Sequence, residues 1–186
     1  MQVKSKMLRV IAGKYRNRKV NQPSKETTRS TIEKIREAIF SSIAFKLPNK
    51  SFLDLFSGSG IWSIEASSRG ASQVVGIEKD RKAYKIILEN INSIKIDNIS
   101  IKNMDAMEFI KNNTMVFDFI FIDPPFIRYD YINDSLKFIQ ENKSLSEDGE
   151  IILHTDDYRQ VVVPEKLKIY KEKRYGKKFI YFIVWK

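Results

Sequence analysis

The tetrapeptide Asp123-Pro124-Pro125-Phe126 follows directly on the apolar run Phe117-Asp118-Phe119-Ile120-Phe121-Ile122. A run this apolar, ended by two prolines, predicts a buried parallel strand that stops pairing at its carboxyl edge. Open α/β sheets bind ligands at that edge. The prolines fix φ and carry no N–H. The Asp123 carboxylate and the neighbouring carbonyls therefore offer only acceptors, with Phe126 as a flat apolar plate beside them. Such a pocket suits an exocyclic amine on a planar base.

A second segment, Asp54-Leu55-Phe56-Ser57-Gly58-Ser59-Gly60, ends a predicted strand and leads into a predicted helix that Ile61 and the residues after it continue. Its small residues let the backbone turn tightly and pass close to a ligand at the helix N-terminus. The dinucleotide fingerprint would place Gly or Ala at 63, where this chain has serine. Asp54 would repel a pyrophosphate and attract a cation. Glu78 closes the run Val74-Val75-Gly76-Ile77, at the offset where an acid accepts hydrogen bonds from both hydroxyls of a ribose. Asp80 is then left to cap the next helix.

Read together, these segments look like motifs I and IV of S-adenosylmethionine-dependent amino-methyltransferases. With Arg9 to Lys19, Arg29 to Phe40 and Tyr175-Gly176 added, the chain resembles, end to end, the RsmD family of bacterial 16S rRNA guanine-N2 methyltransferases. The resemblance implies S-adenosylmethionine as cofactor and S-adenosylhomocysteine as product. It implies cofactor contacts from Asp54, Phe56, Ser57, Gly58, Ser59, Gly60, Glu78, Asp105 and Ala106. Asp54 would face the cationic amino-acid end and Asp105-Ala106 the adenine, although Asp105 reads equally as a helix N-cap.

The implied reaction is in-line methyl transfer to an exocyclic nitrogen, a poor nucleophile because its lone pair is delocalised, so positioning has to supply much of the rate. Asp123 and the Pro124 carbonyl would accept the two amine hydrogens, in bonds that strengthen as positive charge develops on nitrogen. Pro125 would stiffen the turn, and Phe126 would stack on the extruded base.

Composition narrows the field. The absence of cysteine removes disulfides, thiolate metal sites and methylation at pyrimidine C5, which needs an attacking thiolate. The one histidine, His154, ends the run Ile151-Ile152-Leu153 and reads as a strand-end residue, because neither a partner acid nor a metal-ligand set is apparent. No metal is expected.

The net charge of +10 is unevenly placed. Residues 1–29 carry nine Lys/Arg against one Glu, residues 164–186 carry eight against two acids, and 30–163 carry sixteen against twenty. A body of net −4 with basic ends reads as a catalytic domain bearing a polyanion-binding surface. Lys14, Arg16, Arg18, Lys19, Arg29 and Arg36 are the candidates for RNA contact, with Arg36 assigned to the polar side of the first helix near the active-site mouth. The partner implied is ribosomal RNA within a partly assembled small-subunit particle. An exposed basic arm needs no second copy, so a monomer is expected.

The elements that must carry these residues divide at residue 29: a basic N-terminal arm over 1–29 and a methyltransferase domain over 30–186. The arm reads as two short strands about Gly13, with basic side chains too dense for a core face. Ser30-Thr31-Ile32-Glu33 fits a capping box, and Ile32, Ile35, Ile39 and Ile43 share a helical stripe that ends by Pro48. Strands are expected near 51–56, 73–77, 98–102, 117–122 and 149–154, alternating with helices near 60–69, 80–95, 105–112, 130–142 and 156–160. Two extended runs about Tyr175-Gly176 predict a hairpin. The fold class implied is Rossmann-like α/β, a mainly parallel seven-stranded sheet ending in that antiparallel hairpin. No apolar stretch is long enough to span a membrane, and the start lacks the apolar core of a secretory signal, so a cytoplasmic protein is expected.

Two departures from the family stand out: Arg29-Ser30-Thr31-Ile32-Glu33-Lys34, where the family usually has Arg-Pro-Thr-Thr followed by Asp-Arg, and Ala12 in place of glycine. An adenine-N6 methyltransferase acting on DNA or RNA is the nearest alternative, since it uses the same tetrapeptide. A non-catalytic RNA-binding assembly factor would need no intact cofactor loop. A nicotinamide-dependent dehydrogenase is disfavoured by Ser63, Asp54 and the lack of a proton-relay histidine.

Overall fold

Glycine at position 13 sets the first element. Its φ of +83° and the close approach of Ser68 leave no room for a Cβ, and the chain reverses there into a two-stranded hairpin. Strand β1 (Met7–Arg9) pairs antiparallel with β2 (Lys19–Asn21). The computed structural model describes residues 7–23, 29–125 and 128–186, and the backbone alone over 29–32. Helix α1 (Arg29–Ser42) follows, then β3 (Ser51–Asp54), α2 (Ile61–Ser68), β4 (Gln73–Ile77), α3 (Arg81–Ile94), β5 (Ile99–Lys102) and α4 (Ala106–Lys111). The chain continues through β6 (Phe117–Ile122), α5 (Tyr129–Glu141), β7 (Leu145–Thr155), β8 (Leu167–Tyr175) and β9 (Lys178–Trp185).

The strands β3 to β9 form one sheet in the order β5-β4-β3-β6-β7-β9-β8. Pairing is parallel from β5 to β7, and β9 enters antiparallel between β7 and β8. The fold class expected from the resemblance is borne out. Successive crossovers leave β3 in opposite directions, so the β3/β6 boundary is the switch point where the crevice of such a sheet opens. In register, Asp54 pairs with Phe121, and Ile122 with Leu153, which puts the carboxyl ends of β3, β6 and β7 side by side.

Apolar layers cover both faces. On one, Ile35, Ile39 and Phe40 of α1, Ile64 of α2 and Ile87 of α3 pack on Phe52, Val74 and Phe121. On the other, Phe109 and Ile110 of α4 and Leu136 and Ile139 of α5 pack on Leu53, Ile120 and Ile151. Trp62 stacks on Phe121 with ring centres 4.1 Å apart, so the first turn of α2 is fixed against β6.

Three expectations are corrected. The arm does present a core face: Leu8, Val10, Tyr15 and Val20 are buried in the same apolar layer as α1 and α2. In a hairpin the side chains alternate, so the basic residues occupy the outer face while the inner face packs. Burying each aliphatic residue is worth about 1.5–3 kcal/mol. The helix expected over 156–160 is a single 3-10 turn, Tyr158–Gln160. Strand β7 begins at Leu145, because Ser146 to Gly149, turn-like in composition, extend beside β6 across an irregular register.

Arg36 is a fourth correction. It is fully buried, its Nη2 donating to the Arg9 carbonyl at 2.7 Å and its Nε standing 3.5 Å from Glu65. The arm covers the flank of α1 that the sequence pattern assigns to solvent. Arg36 therefore offers no surface to RNA.

Candidate active site

Asp54 ends β3 at the switch point with its side chain wholly buried. Its Oδ2 accepts from the backbone N–H of Ser63 at 3.2 Å and from the Ser63 hydroxyl at 2.7 Å. Its Oδ1 is buried with no hydrogen-bond partner among the described residues. Burial pushes the carboxyl up to about 7, against the Ser63 hydrogen bonds and with the charges of Asp123 and Glu78 adding to the rise. Ser63, which disqualified the dinucleotide fingerprint, thus orients the acid.

The loop after Asp54 is tied to the next strand. Ser57 donates its N–H to the Ile77 carbonyl at 2.9 Å and its hydroxyl to the Asp54 carbonyl at 3.1 Å. Gly60 turns with φ +74°, and a Cβ there would strike Ile87 of α3 at 2.6 Å. At Gly58, with φ +55°, a Cβ would meet nothing within 4 Å, so the loop borders open space. Ser59 is half-buried, and Phe56 stacks on Tyr131 of α5 with ring centres 6.1 Å apart.

Glu78 accepts from Gly58 N–H on Oε2 at 2.8 Å and from Asp80 N–H on Oε1 at 2.7 Å. Each oxygen keeps a further lone pair. Burial holds this carboxyl above its usual range. Asp80 caps α3 as expected, accepting from Lys82 and Ala83 N–H. Asp105 caps α4 through Oδ1, and its Oδ2 lies 3.0 Å from Lys79 Nζ. The plain capping role thus occupies Asp105, with Ala106 buried as the first residue of α4.

Asp123 follows β6 with its side chain 35% exposed, and Pro124 is buried while Pro125 is exposed. Asp123 Oδ1 lies 2.9 Å from Nδ1 of His154. Here the sequence reading is corrected: His154 does have a partner acid, supplied by the neighbouring strand. No sequence signal links the two, because their contact depends on the β6/β7 register. Phe126 and the side chain of Arg29 lie outside the described residues. No group of three His, Asp or Glu among the described residues is arranged to hold a metal ion.

The structure brings Asp54, Gly58, Glu78 and Asp123 to one sheet edge and places the arm cations elsewhere. Lys14 N–H bonds to the Ser68 carbonyl at 2.7 Å, at the last residue of α2, whereas the loop of Gly58 and Gly60 feeds its first. Eight helical residues span about 12 Å. Lys14, Arg16, Arg18 and Lys19 are exposed on that far side, where Arg18 reaches the Ser93 carbonyl at 3.4 Å. Glu65 went unrecognised in the sequence. Its carboxylate accepts from Ile11 N–H at 2.8 Å, Ala12 N–H at 3.1 Å and Arg69 at 2.7 Å, and so anchors the arm.

A parallel sheet with its last strand inserted antiparallel, and with this loop and acid pair at the switch point, is that of class I methyltransferases. The chain belongs to the family described as conserved hypothetical protein 95, whose model matches residues 8–184. It is 29% identical over 173 residues to ribosomal RNA small subunit methyltransferase D of Escherichia coli K12, covering 92% of this chain and 87% of that protein. YlbH of Bacillus subtilis is 32% identical over 162 residues, 85% of this chain and 86% of its own. The solved structure of yhhF from Escherichia coli matches with a TM-score of 0.89 at 26% identity, over 97% of this chain and 99% of that one. The resemblance read from the sequence is borne out.

Proposed function

We propose that the chain is an S-adenosylmethionine-dependent methyltransferase that modifies the exocyclic N2 amine of a guanine in small-subunit ribosomal RNA. The observation that carries this reading is the placement of Asp54 and Asp123 at the carboxyl ends of the paired strands β3 and β6, one acid buried with an unsatisfied oxygen and the other half-exposed. The names of the relatives support ribosomal RNA as the substrate class. A soluble monomer in the cytoplasm acting on a partly assembled particle fits the same reading. Among the described residues no helix is long and apolar enough to cross a membrane.

The residues fit the cofactor. Asp54 Oδ1, buried without a partner, would be satisfied by the cationic amino-acid end. Glu78 would accept the ribose hydroxyls on its remaining lone pairs, held in place by the N–H groups of Gly58 and Asp80. Gly58 lets the loop lie against the ligand without a side chain in the way. When bound, S-adenosylmethionine supplies a methyl group on a sulfonium, and the carbon–sulfur bonding pair leaves with sulfur as S-adenosylhomocysteine.

Asp123 and the Pro124 carbonyl orient the amine by accepting its two hydrogens. As the new nitrogen–carbon bond forms, positive charge gathers on nitrogen, and the carboxylate stabilises it. Asp123, open to solvent on one side, then passes the surplus amine proton to water. Phe126 holds the base flat, a contact worth about 1–3 kcal/mol.

Incubation with labelled cofactor and immature small subunits, naked ribosomal RNA or duplex DNA, followed by nucleoside mass spectrometry, tests the reading. N2-methylguanine in ribosomal RNA is the expected product. N6-methyladenine would reassign the acceptor, and calorimetry showing no cofactor binding would make the chain a non-catalytic assembly factor. Asp123→Ala should abolish turnover and leave cofactor affinity nearly unchanged.

A further inference from the structure

The reaction as described leaves His154 unused, yet it touches the residue on which the chemistry depends. His154 is the last but one residue of β7, and Asp123 is the first residue beyond β6. The parallel register that matches Ile122 with Leu153 brings them abreast. His154 Nδ1 lies 2.9 Å from Asp123 Oδ1, with the imidazole only 13% exposed. Its Nε2 is buried and has no hydrogen-bond partner among the described residues.

A carboxylate oxygen accepts, so in this contact Nδ1 carries a proton and donates it. The His154 ring itself is held by β7, whose neighbour β9 pairs His154 with Ile180. A donor carried by a strand paired on both sides therefore grips one oxygen of a side chain that lies just beyond the end of β6. Asp123 Oδ2 bears no hydrogen bond among the described residues.

We propose that His154 is the positioning residue for Asp123: its Nδ1–H holds Oδ1, fixes the rotation of the carboxylate, and leaves Oδ2 as the acceptor for the base amine. This rests on the reading of Asp123 as that acceptor. The choice of donor has a physical reason. A lysine or arginine at 154 would carry a permanent charge that opposes the one Asp123 directs at the developing cation, whereas an imidazole is able to donate an N–H without carrying a charge.

The two amide side chains separate the roles of the two ring nitrogens. Asn at 154 puts an N–H donor where Nδ1 stands, and Gln puts it where Nε2 stands. Single-turnover methyl transfer to immature small subunits is compared for His154→Asn, His154→Gln, His154→Ala and Asp123→Ala, with melting temperature and calorimetric cofactor Kd as controls on folding.

His154→Ala and His154→Gln should lose roughly 10²-fold in rate, as expected for a misplaced reacting group, with KM for the particle and Kd for the cofactor within about twofold of the parent. His154→Asn should recover most of the rate. Equal rates for the Asn and Gln variants, or a parental rate for Ala, would overturn the proposal. Should Ala fail to fold, the Asn and Gln pair still decides. Turnover surviving in Asp123→Ala would overturn the acceptor reading itself, a result that no His154 variant can produce.

Discussion

Arg36 and Glu65 form a buried ion pair, Nε to Oε2 at 3.5 Å, with both side chains fully excluded from solvent. One comes from α1 and the other from α2, and both also hold the arm, Arg36 through the Arg9 carbonyl and Glu65 through the N–H groups of Ile11 and Ala12. Three separate stretches of chain thus converge on one charge pair. Removing a member of such a pair leaves the other uncompensated in a low-dielectric interior.

Arg36→Ala is therefore expected to destabilise the protein by about 3 kcal/mol, at the low end for buried pairs because Arg69 still reaches Glu65. Urea unfolding measures the loss, and limited proteolysis should cut the arm first. Weakened RNA binding with unchanged stability would instead restore the surface role read from the sequence.

Cofactor affinity should depend on pH through Asp54. Its carboxyl sits at about 7 in the fold against 3.8 unperturbed, and a cationic ligand binds the ionised form. Affinity should then fall up to about tenfold per unit as pH drops below about 7, and level off above it. Binding at neutral pH should release a proton, seen in calorimetry across buffers of different ionisation enthalpy. The stability sign is opposite to that of a paired acid. Between 3.8 and about 7 the folded state holds the extra proton, so this group's contribution to stability is greatest below 3.8 and is lost as pH rises through that window. Asp54→Asn should flatten both profiles.

Gly13→Ala tests the arm's seat on α2. The new Cβ would fall 1.8 Å from the Ser68 carbonyl oxygen, in a backbone conformation at φ +83° that L residues resist. A loss of about 2 kcal/mol is expected. Faster amide exchange at Lys14 and Tyr15, whose N–H groups bond to Ser68, would localise it.

Neutralising Lys14, Arg16, Arg18 and Lys19 together should lower the slope of log affinity against log salt by up to about 3, if each meets one phosphate. The effect should appear with long ribosomal RNA and vanish with a short stem carrying only the target base, because these cations lie at the far end of α2 from Asp123. An equal loss with the short stem would place the arm at the catalytic mouth instead.

Much of this site is legible in the sequence. Asp54, Gly58, Glu78 and Asp123 announce themselves because each ends a strand or opens a turn, and local sequence sets that placement. Asp80 as a cap is legible for the same reason. Arg36 misleads because a charged residue on an amphipathic helix is assumed to face water, and what covers it is a distant hairpin. The roles of His154 and of Glu65 as anchor of the arm are legible only through distant partners, 31 residues away for His154 and more than 50 for the arm N–H groups that Glu65 accepts. Strand register and the docking of the arm decide those contacts, and neither leaves a mark on the local pattern.

The antiparallel insertion of β9 bears on how the protein is made. Because residues 178–185 lie between β7 and β8, the backbone of β7 stays half unpaired until they emerge from the ribosome. A nascent chain halted before them would display a long apolar edge, Ile151 to Leu153, open to association with other chains. Strand β9, made after both β7 and β8, is thus the piece that closes the sheet beside His154.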